Sequence, residues 1–256
     1  MAISETAQKN HDELFPGHVS TLKVTDPELI EIFDNFAFDE ALRHTSLDTR
    51  TRLVVQLAAL IACQALSEYR VMLGAALTSG VTPVEVKEIV YQAVPYVGMG
   101  KAFDFIGATN DVLTERGIAL PLAGQSATTP DTRAERGRAV QEQIAGADRV
   151  QHMYASAAAD EAHFQEFLSA NCFGDHVART GIDVPVRELL TLAMLVSLGG
   201  CDPQVKGHVA ANLNVGNDRQ TLISVITVLL PFIGYPRTLN ALAAINEIAP
   251  ASSQGQ

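Results

Sequence analysis

The chain has few of the residues that build extracellular frameworks. Among its 256 residues there are only three cysteines, Cys63, Cys172 and Cys201, and no Cys-x-x-Cys pair. An odd and sparse set argues against a disulfide framework and is typical of a reducing compartment. The stretch 1–20 is polar and has no apolar core, so it does not resemble a secretory signal. We therefore expect a cytoplasmic protein.

Long hydrophobic runs and basic charge are also scarce. The longest apolar stretches, such as LVVQLAALIACQAL at 53–66, are interrupted by glutamine and are shorter than a membrane span. Lysine and arginine total 18 against 29 aspartates and glutamates, for a net charge of -11. A field of that sign repels phosphate backbones. We expect no membrane and no nucleic-acid partner, and a small anionic substrate would need a local cationic pocket.

Signals for metals, nucleotides and strands are missing as well. The seven histidines show no HExxH and no paired ligand spacing, and there is neither a P-loop nor a GxGxxG motif. We therefore predict no metal and no cofactor. Tryptophan is absent, alanine is abundant, and no stretch shows sustained alternation or an Asn-Gly or Asp-Gly hairpin turn. With 47% apolar residues, the composition favours closely packed helices.

What the sequence does contain is an internal repeat at an offset of 136 positions. The motif PYVG at 95–98 falls opposite PFIG at 231–234. Lys101 falls opposite Arg237, and Asp104 falls opposite Asn240. Upstream, leucine, alanine and glycine positions match at the same offset, as at Gly80 and Gly216. The chain is therefore a tandem duplication.

Each copy has the pattern of a helical bundle. Apolar residues cover nearly every face of VRELLTLAMLVSLG, which is typical of a buried helix. Gly199 and Gly200 end that helix, and Asp202-Pro203 begins the next one. We predict an all-α fold of two similar bundles packed together. The predicted segments are an N-terminal arm at 1–30, a first repeat at 31–120, a linker at 121–132, a second repeat at 133–248 and a tail at 249–256.

Three reactive side chains stand out in the second copy. Cys201 directly precedes a helix start, where free N–H groups and the helix dipole favour a thiolate. His208 lies two turns further along the same helix, and Glu188 begins the preceding helix. If the two helices are antiparallel, Glu188 can approach His208. The spacing therefore allows a carboxylate–imidazole–thiol relay.

Each of these residues also has a plainer interpretation. A helical cysteine beside glycines is more often a packing residue, and Glu188 could complement the helix dipole. The repeat favours a joint role, because the three chemical groups vanish together from the first copy. At an offset of 136 they face Arg52, Ala65 and Met72, although a one-residue shift would pair Arg52 with Arg187.

The stretch RELLTLAMLVSLGGCDPQVKGHVAANLNVG, followed by LLPFIGYPRTLNAL, resembles the carboxymuconolactone decarboxylase family. That family shares its all-α fold with the AhpD-like alkylhydroperoxidases. The resemblance covers both copies and is strongest at 187–244. It implies a homo-oligomer, either a trimer or a hexamer, acting on a small molecule.

The resemblance implies two alternative chemistries. The peroxidase branch uses a glutamate, a Cys-x-x-Cys pair and a histidine four residues after the second cysteine. Glu188, Cys201 and His208 match three of those positions, but Gln204 stands at the second cysteine. A sulfenic acid on Cys201 therefore has no neighbouring thiol with which to form the usual disulfide. Turnover as a thiol peroxidase, an oxidoreductase, would need Cys172, Cys63 or an external thiol.

The decarboxylase branch is a lyase that acts on a carboxylated γ-lactone. A site without metal or cofactor can do this with a general acid and cationic groups that hold the carboxylates. The resemblance implies His208 as the proton donor and Glu188 as its orienting partner. The candidate substrate-binding residues are Arg187, Lys206, Tyr235, Arg237 and Asn240. We take this branch as the leading hypothesis, with the peroxidase and a non-catalytic, metabolite-binding helical oligomer as alternatives.

Overall fold

The computed structural model describes residues 2–18 and 20–251, and all the regular structure in those residues is helical. The predicted all-α fold is therefore confirmed. The N-terminal part contains α1 (Glu5–Leu14), α2 (Leu22–Thr25), α3 (Pro27–Asn35), a π-helical segment (Phe36–Glu40) and a 3-10 turn (Ala41–His44). The first repeat continues with α4 (Thr49–Ala62), α5 (Leu66–Thr78), α6 (Pro83–Val97) and α7 (Met99–Glu115).

The second repeat has the same order of elements. It begins with α8 (Arg133–Ala145), α9 (Ala147–Ser156), α10 (Ala162–Phe167) and a second π-helical segment (Leu168–Val177). It continues with α11 (Val184–Leu198), α12 (Asp202–Asn214), α13 (Arg219–Ile233) and α14 (Tyr235–Ile248). Helices α5 and α12, and likewise α6 and α13, begin and end 136 positions apart. The predicted duplication is therefore present in the structure.

The one-residue shift occurs inside the first long helix of each copy. Asp48 caps α4 and Asp183 caps α11, and each side chain accepts a hydrogen bond from a backbone N–H three residues later. These two caps are 135 positions apart, whereas the helices end 136 positions apart because α11 has 15 residues and α4 has 14. At its start, therefore, α11 aligns Arg187 with Arg52.

The two copies share one core. Helices α4 and α11 pack along each other at the centre, while α13 packs on α4 and α11 packs on α6. Each copy therefore covers the central helix of the other in a pseudo-twofold arrangement. Side chains such as Leu57 and Leu192 are fully buried in the same cluster of apolar residues. None of the described helices has the length and hydropathy that a membrane span requires.

The segments outside the repeated helices are also packed. Within the predicted arm, α1 packs on the first π-helical segment, with Ala7 and Leu14 buried. The predicted linker at 121–132 lies in a stretch without helix between α7 and α8. Helix α8 crosses the second π-helical segment at Gly137 and Gly174, where a Cβ atom on either residue would overlap the opposing backbone. Of the predicted tail, 252–256 lie outside the described residues.

Candidate functional site

The α11–α12 hairpin brings Glu188 and His208 into contact. Glu188 lies near the start of α11 and is fully buried, and His208 lies in the second turn of α12. His208 Nδ1 lies 2.8 Å from Glu188 Oε2. Because an ionised carboxylate can only accept, Nδ1 carries the proton of this hydrogen bond. The other ring nitrogen, Nε2, is thereby left as the atom that can exchange a proton. The imidazole remains 20% exposed.

An asparagine that the sequence analysis missed supports this pair. The Asn212 Nδ2 group donates to the carbonyl of His208 at 2.7 Å and to the carbonyl of Glu188 at 3.1 Å. Asn217 in turn donates to Asn212 Oδ1 at 2.8 Å. These bonds fix α12 against α11 beside the pair. The available signal was the difference between the copies, since position 76, which is 136 residues before Asn212, is alanine.

Two further residues enclose the pair from other parts of the chain. The Tyr96 ring, at the end of α6 in the first copy, meets the His208 ring edge-on with centroids 6.2 Å apart. Cys172, from the second π-helical segment, belongs to the apolar cluster against which Tyr96 packs. Burial raises the pKa of Tyr96 well above its usual value and raises the pKa of Cys172 to about 12, and the negative charge of Glu188 adds to both shifts. Both groups are therefore neutral at physiological pH.

Cys201 does not join this cluster. Its Sγ donates to the carbonyl of Leu195 at 3.1 Å, and within the described residues it makes no hydrogen bond to His208 or Glu188. Burial, and then the negative charge of Asp202, raise the pKa of the Cys201 thiol. The expected thiolate at the helix start is therefore wrong. The structure assembles the carboxylate and the imidazole of the predicted relay and leaves the thiol outside it.

Cys201 instead lines a separate small cleft with two of the predicted binding residues. The cleft has a volume of about 30 Å³ and includes Arg237 and Asn240 from α14. Tyr235 is 61% exposed at the start of α14. Lys206 lies on the surface, where it pairs with Glu247 at 2.7 Å. In the described part of the chain, none of these four residues makes a hydrogen bond or ion pair with Glu188 or His208.

Arg187 is bonded to other parts of the protein interior and does not line an open binding site. Its side chain is fully buried and pairs with Glu88 of the first copy at 2.9 Å. Its Nη1 donates to Gln92 Oε1 at 2.9 Å. The remaining donors are used by the carbonyl groups of Arg179, Thr180 and Ile182. With Nε, Nη1 and Nη2 all engaged, Arg187 is not placed to hold a substrate carboxylate.

The site therefore belongs to an all-α, tandemly repeated protein with a buried carboxylate–imidazole pair in its second copy. The model of the carboxymuconolactone decarboxylase family matches the chain twice, at residues 27–111 and 162–247. The chain belongs to that family. A search of curated proteins finds no significant match.

Proposed function

We propose that the chain is a lyase of the decarboxylase type that acts on a small carboxylated or lactone-type metabolite through the Glu188–His208 pair. The observation that carries this proposal is the 2.8 Å hydrogen bond between a fully buried carboxylate and a partly exposed imidazole. Such a pair orients the imidazole through Nδ1 and leaves Nε2 as the atom that can deliver a proton, which is what a general acid requires.

In this reaction the protein has to transfer one proton, and a single atom can deliver it. Loss of CO2 breaks a carbon–carbon bond and leaves its electron pair delocalised toward the lactone carbonyl. The proton on Nε2 of the His208 imidazolium then goes to a nucleophilic carbon of the resulting enolate, and solvent reprotonates the exposed edge of the ring. Glu188 holds the ring through Nδ1 during the transfer. Its second oxygen, Oε1, is buried and has no hydrogen-bond partner within the described residues, so it adds negative charge without competing for a donor.

The thiol-peroxidase alternative has less support. The pKa of Cys201 is raised, so little of it is the thiolate that attacks a peroxide. The position of the second cysteine of the peroxidase motif is the exposed Gln204. We therefore propose a mechanism without a thiol step and without metal or cofactor. Within the described residues no group of three or more His, Cys, Asp or Glu side chains is arranged to hold a metal ion, and the absence of a cofactor remains a prediction.

The test compares three variants with a carboxylated γ-lactone as substrate, followed by CO2 release. His208→Gln keeps an N–H donor for Glu188 but has no titratable proton, so we expect kcat/KM to fall about 100- to 10,000-fold. Cys201→Ser should stay within about threefold of the parent, since by this account the thiol takes no part in the reaction. The exposed His152 on α9 supplies the matched control His152→Gln.

The proposal would be overturned if Cys201→Ser lost more activity than His208→Gln. Loss of a peroxide-reducing activity in Cys201→Ser, with His208→Gln unaffected, would establish the peroxidase. If the parent binds such metabolites but converts none of them, the protein is the non-catalytic binding oligomer.

We also propose that the chain forms a homo-oligomer through the first turns of α7 and α14. Met99 and Phe103 on α7 are 54% and 67% exposed, and their counterparts 136 positions later, Tyr235 and Leu239, are 61% and 55% exposed. Large apolar side chains exposed in equivalent places are typical of contact surfaces. Light scattering should give the mass of a trimer or hexamer for the parent and a smaller mass for Phe103→Asp with Leu239→Asp. A monomeric parent would contradict this.

A further inference from the structure

A second cavity lies in the first copy, apart from the Glu188–His208 pair. It has a volume of about 390 Å³, within the range of about 300–1,000 Å³ that small-molecule sites occupy. One wall is the face of α6 that carries Lys87 and Tyr91, and Arg179 of the second copy closes the side. Neither Glu188 nor His208 lines this cavity. The proposed reaction therefore does not account for it.

The charges around this cavity are unbalanced. Arg179 and Arg187 both pair with one carboxylate, Glu88, which is 1% exposed. Lys87 and Arg179 line the cavity, whereas Arg187 lies outside the lining. Glu88 is the only acidic side chain among the lining residues, so the lining carries one positive charge in excess. In a chain with a net charge of -11, this concentration of positive charge favours an anionic ligand.

Hydrogen-bond donors remain available for that ligand. Arg179 uses Nε and Nη2 for Glu88, and within the described residues its Nη1 donates to no acceptor. The Lys87 ammonium donates to Asn110 Oδ1 at 2.7 Å, which occupies one of its three protons. Both cations lie against the Tyr91 ring, with Lys87 Nζ 5.1 Å and the Arg179 guanidinium carbon 5.3 Å from its centroid. An aromatic floor is thus flanked by two cationic donors.

The opposite wall is apolar and held in place. Leu120, Pro121 and Leu122 line it, from the stretch between α7 and α8. Gln125 fixes this stretch, because its carbonyl accepts from the Thr180 N–H at 2.9 Å and its Oε1 accepts from the Thr180 hydroxyl at 2.6 Å. A ligand in this cavity therefore meets apolar side chains on one side and cations beside an aromatic ring on the other.

We propose that this cavity binds an organic carboxylate with an apolar body, at a site distinct from the proposed catalytic pair. The carboxylate faces Lys87 and Arg179 Nη1, and the apolar body lies between the Tyr91 ring and the wall at Leu120–Leu122. The second copy has no such site, since the positions 136 residues after Lys87, Glu88 and Tyr91 are Ile223, Ser224 and Thr227. Each chain therefore has one such site.

Calorimetric titration with benzoate and with its neutral analogue benzamide tests this inference on the full chain. We expect benzoate to bind at least about tenfold more tightly than benzamide, a difference of about 1.4 kcal/mol. Lys87→Met should weaken benzoate binding about fivefold or more and leave benzamide binding unchanged, as expected for a lost charge-assisted hydrogen bond. The matched control is Lys206→Met, which removes the same charge from a surface pair with Glu247.

Three results of this comparison of probes and lysine variants would overturn the inference. These are equal affinity for benzoate and benzamide, equal effects of Lys87→Met and Lys206→Met, and no benzoate binding by the parent at millimolar concentration. If Lys87→Met fails to fold, Tyr91→Leu provides a second test: removal of the ring should weaken the binding of both probes, and unchanged affinities would overturn the inference. His208→Gln separates this site from the catalytic one. Benzoate affinity should survive that change, and its loss would place benzoate at Glu188–His208 and refute a second site.

Discussion

The α4–α5 hairpin of the first copy and the α11–α12 hairpin of the second copy are built from corresponding helices but carry different side chains between them. In the second copy, Glu188, His208 and Asn212 form a hydrogen-bonded group between the helices. At the corresponding positions the first copy has Leu53, Met72 and Ala76, because the offset is 135 at the start of α11 and 136 along α12. Helices α5 and α12 nevertheless begin and end at corresponding positions. The fold therefore depends on apolar packing and helix ends, whereas the polar group is an addition that one copy carries and the other does not.

The residues around the two hairpins differ in the same way: they are more polar at the second copy and more apolar at the first. Tyr96, with its hydroxyl, packs against His208. Its counterpart Phe232 has no hydroxyl and packs against Phe33, with ring centroids 5.8 Å apart. Met72 is buried at the position that corresponds to His208. The space that holds polar groups in one copy is filled by apolar side chains in the other.

The largest expected difference between the copies is in the loss of stability when the two aligned arginines, Arg187 and Arg52, are replaced. Arg187→Met removes one partner of a buried ion pair with Glu88 and leaves Gln92 Oε1 without its donor. The free energy of unfolding should fall by about 3–5 kcal/mol. The Arg52 side chain is partly buried and makes no hydrogen bond or ion pair within the described residues, so Arg52→Met should cost less than about 1 kcal/mol. Urea unfolding measures both, and equal losses would show that the two arginines are equivalent.

A smaller effect is expected from placing a histidine in the first copy. Met72→His buries an imidazole where no carboxylate stands opposite, because position 52 is arginine and position 53 is leucine. An unsatisfied buried polar group should reduce stability by about 1–3 kcal/mol. Met72→Leu conserves volume and should cost less than about 1.5 kcal/mol. If the histidine variant unfolds at the same urea concentration as the leucine variant, the first copy is not the apolar site described above.

The smallest effect concerns pH and Cys172, which the first copy lacks, since positions 36 and 37 are phenylalanine and alanine. Burial raises the pKa of Cys172 to about 12, against about 8.5 in an unfolded chain. The unfolded chain therefore loses this proton first, and the stability that the neutral thiol provides declines above about pH 8.5 by about 1.4 kcal/mol per pH unit. Cys172→Ser lacks this contribution.

The measurement is urea unfolding of the parent and of Cys172→Ser at pH 8, 9 and 10. The difference in stability between the two proteins should shrink as the pH rises. A difference that does not change with pH would mean that the thiol ionises as easily in the folded state as in the unfolded state.

Most of the fold could be predicted from the sequence, because caps, glycines and apolar periodicity are local signals. The approach of Glu188 to His208 followed from one antiparallel hairpin. Other contacts depend on parts of the chain that meet only in the folded protein. Arg187 finds Glu88 across 99 positions, and Tyr96 reaches the site from the other copy. The direction of the Cys201 side chain depends on its rotamer and on the Leu195 carbonyl to which it donates. The spacing of residues in the sequence does not predict either.

The central claim is that Glu188 and His208 act as one unit. A double-mutant cycle of Glu188→Gln and His208→Gln, read as kcat/KM for a carboxylated γ-lactone, tests it most directly. If the carboxylate acts only through the imidazole, the double variant should be no slower than His208→Gln alone. Losses that multiply in the double variant would show that the two groups act independently and would contradict the claim.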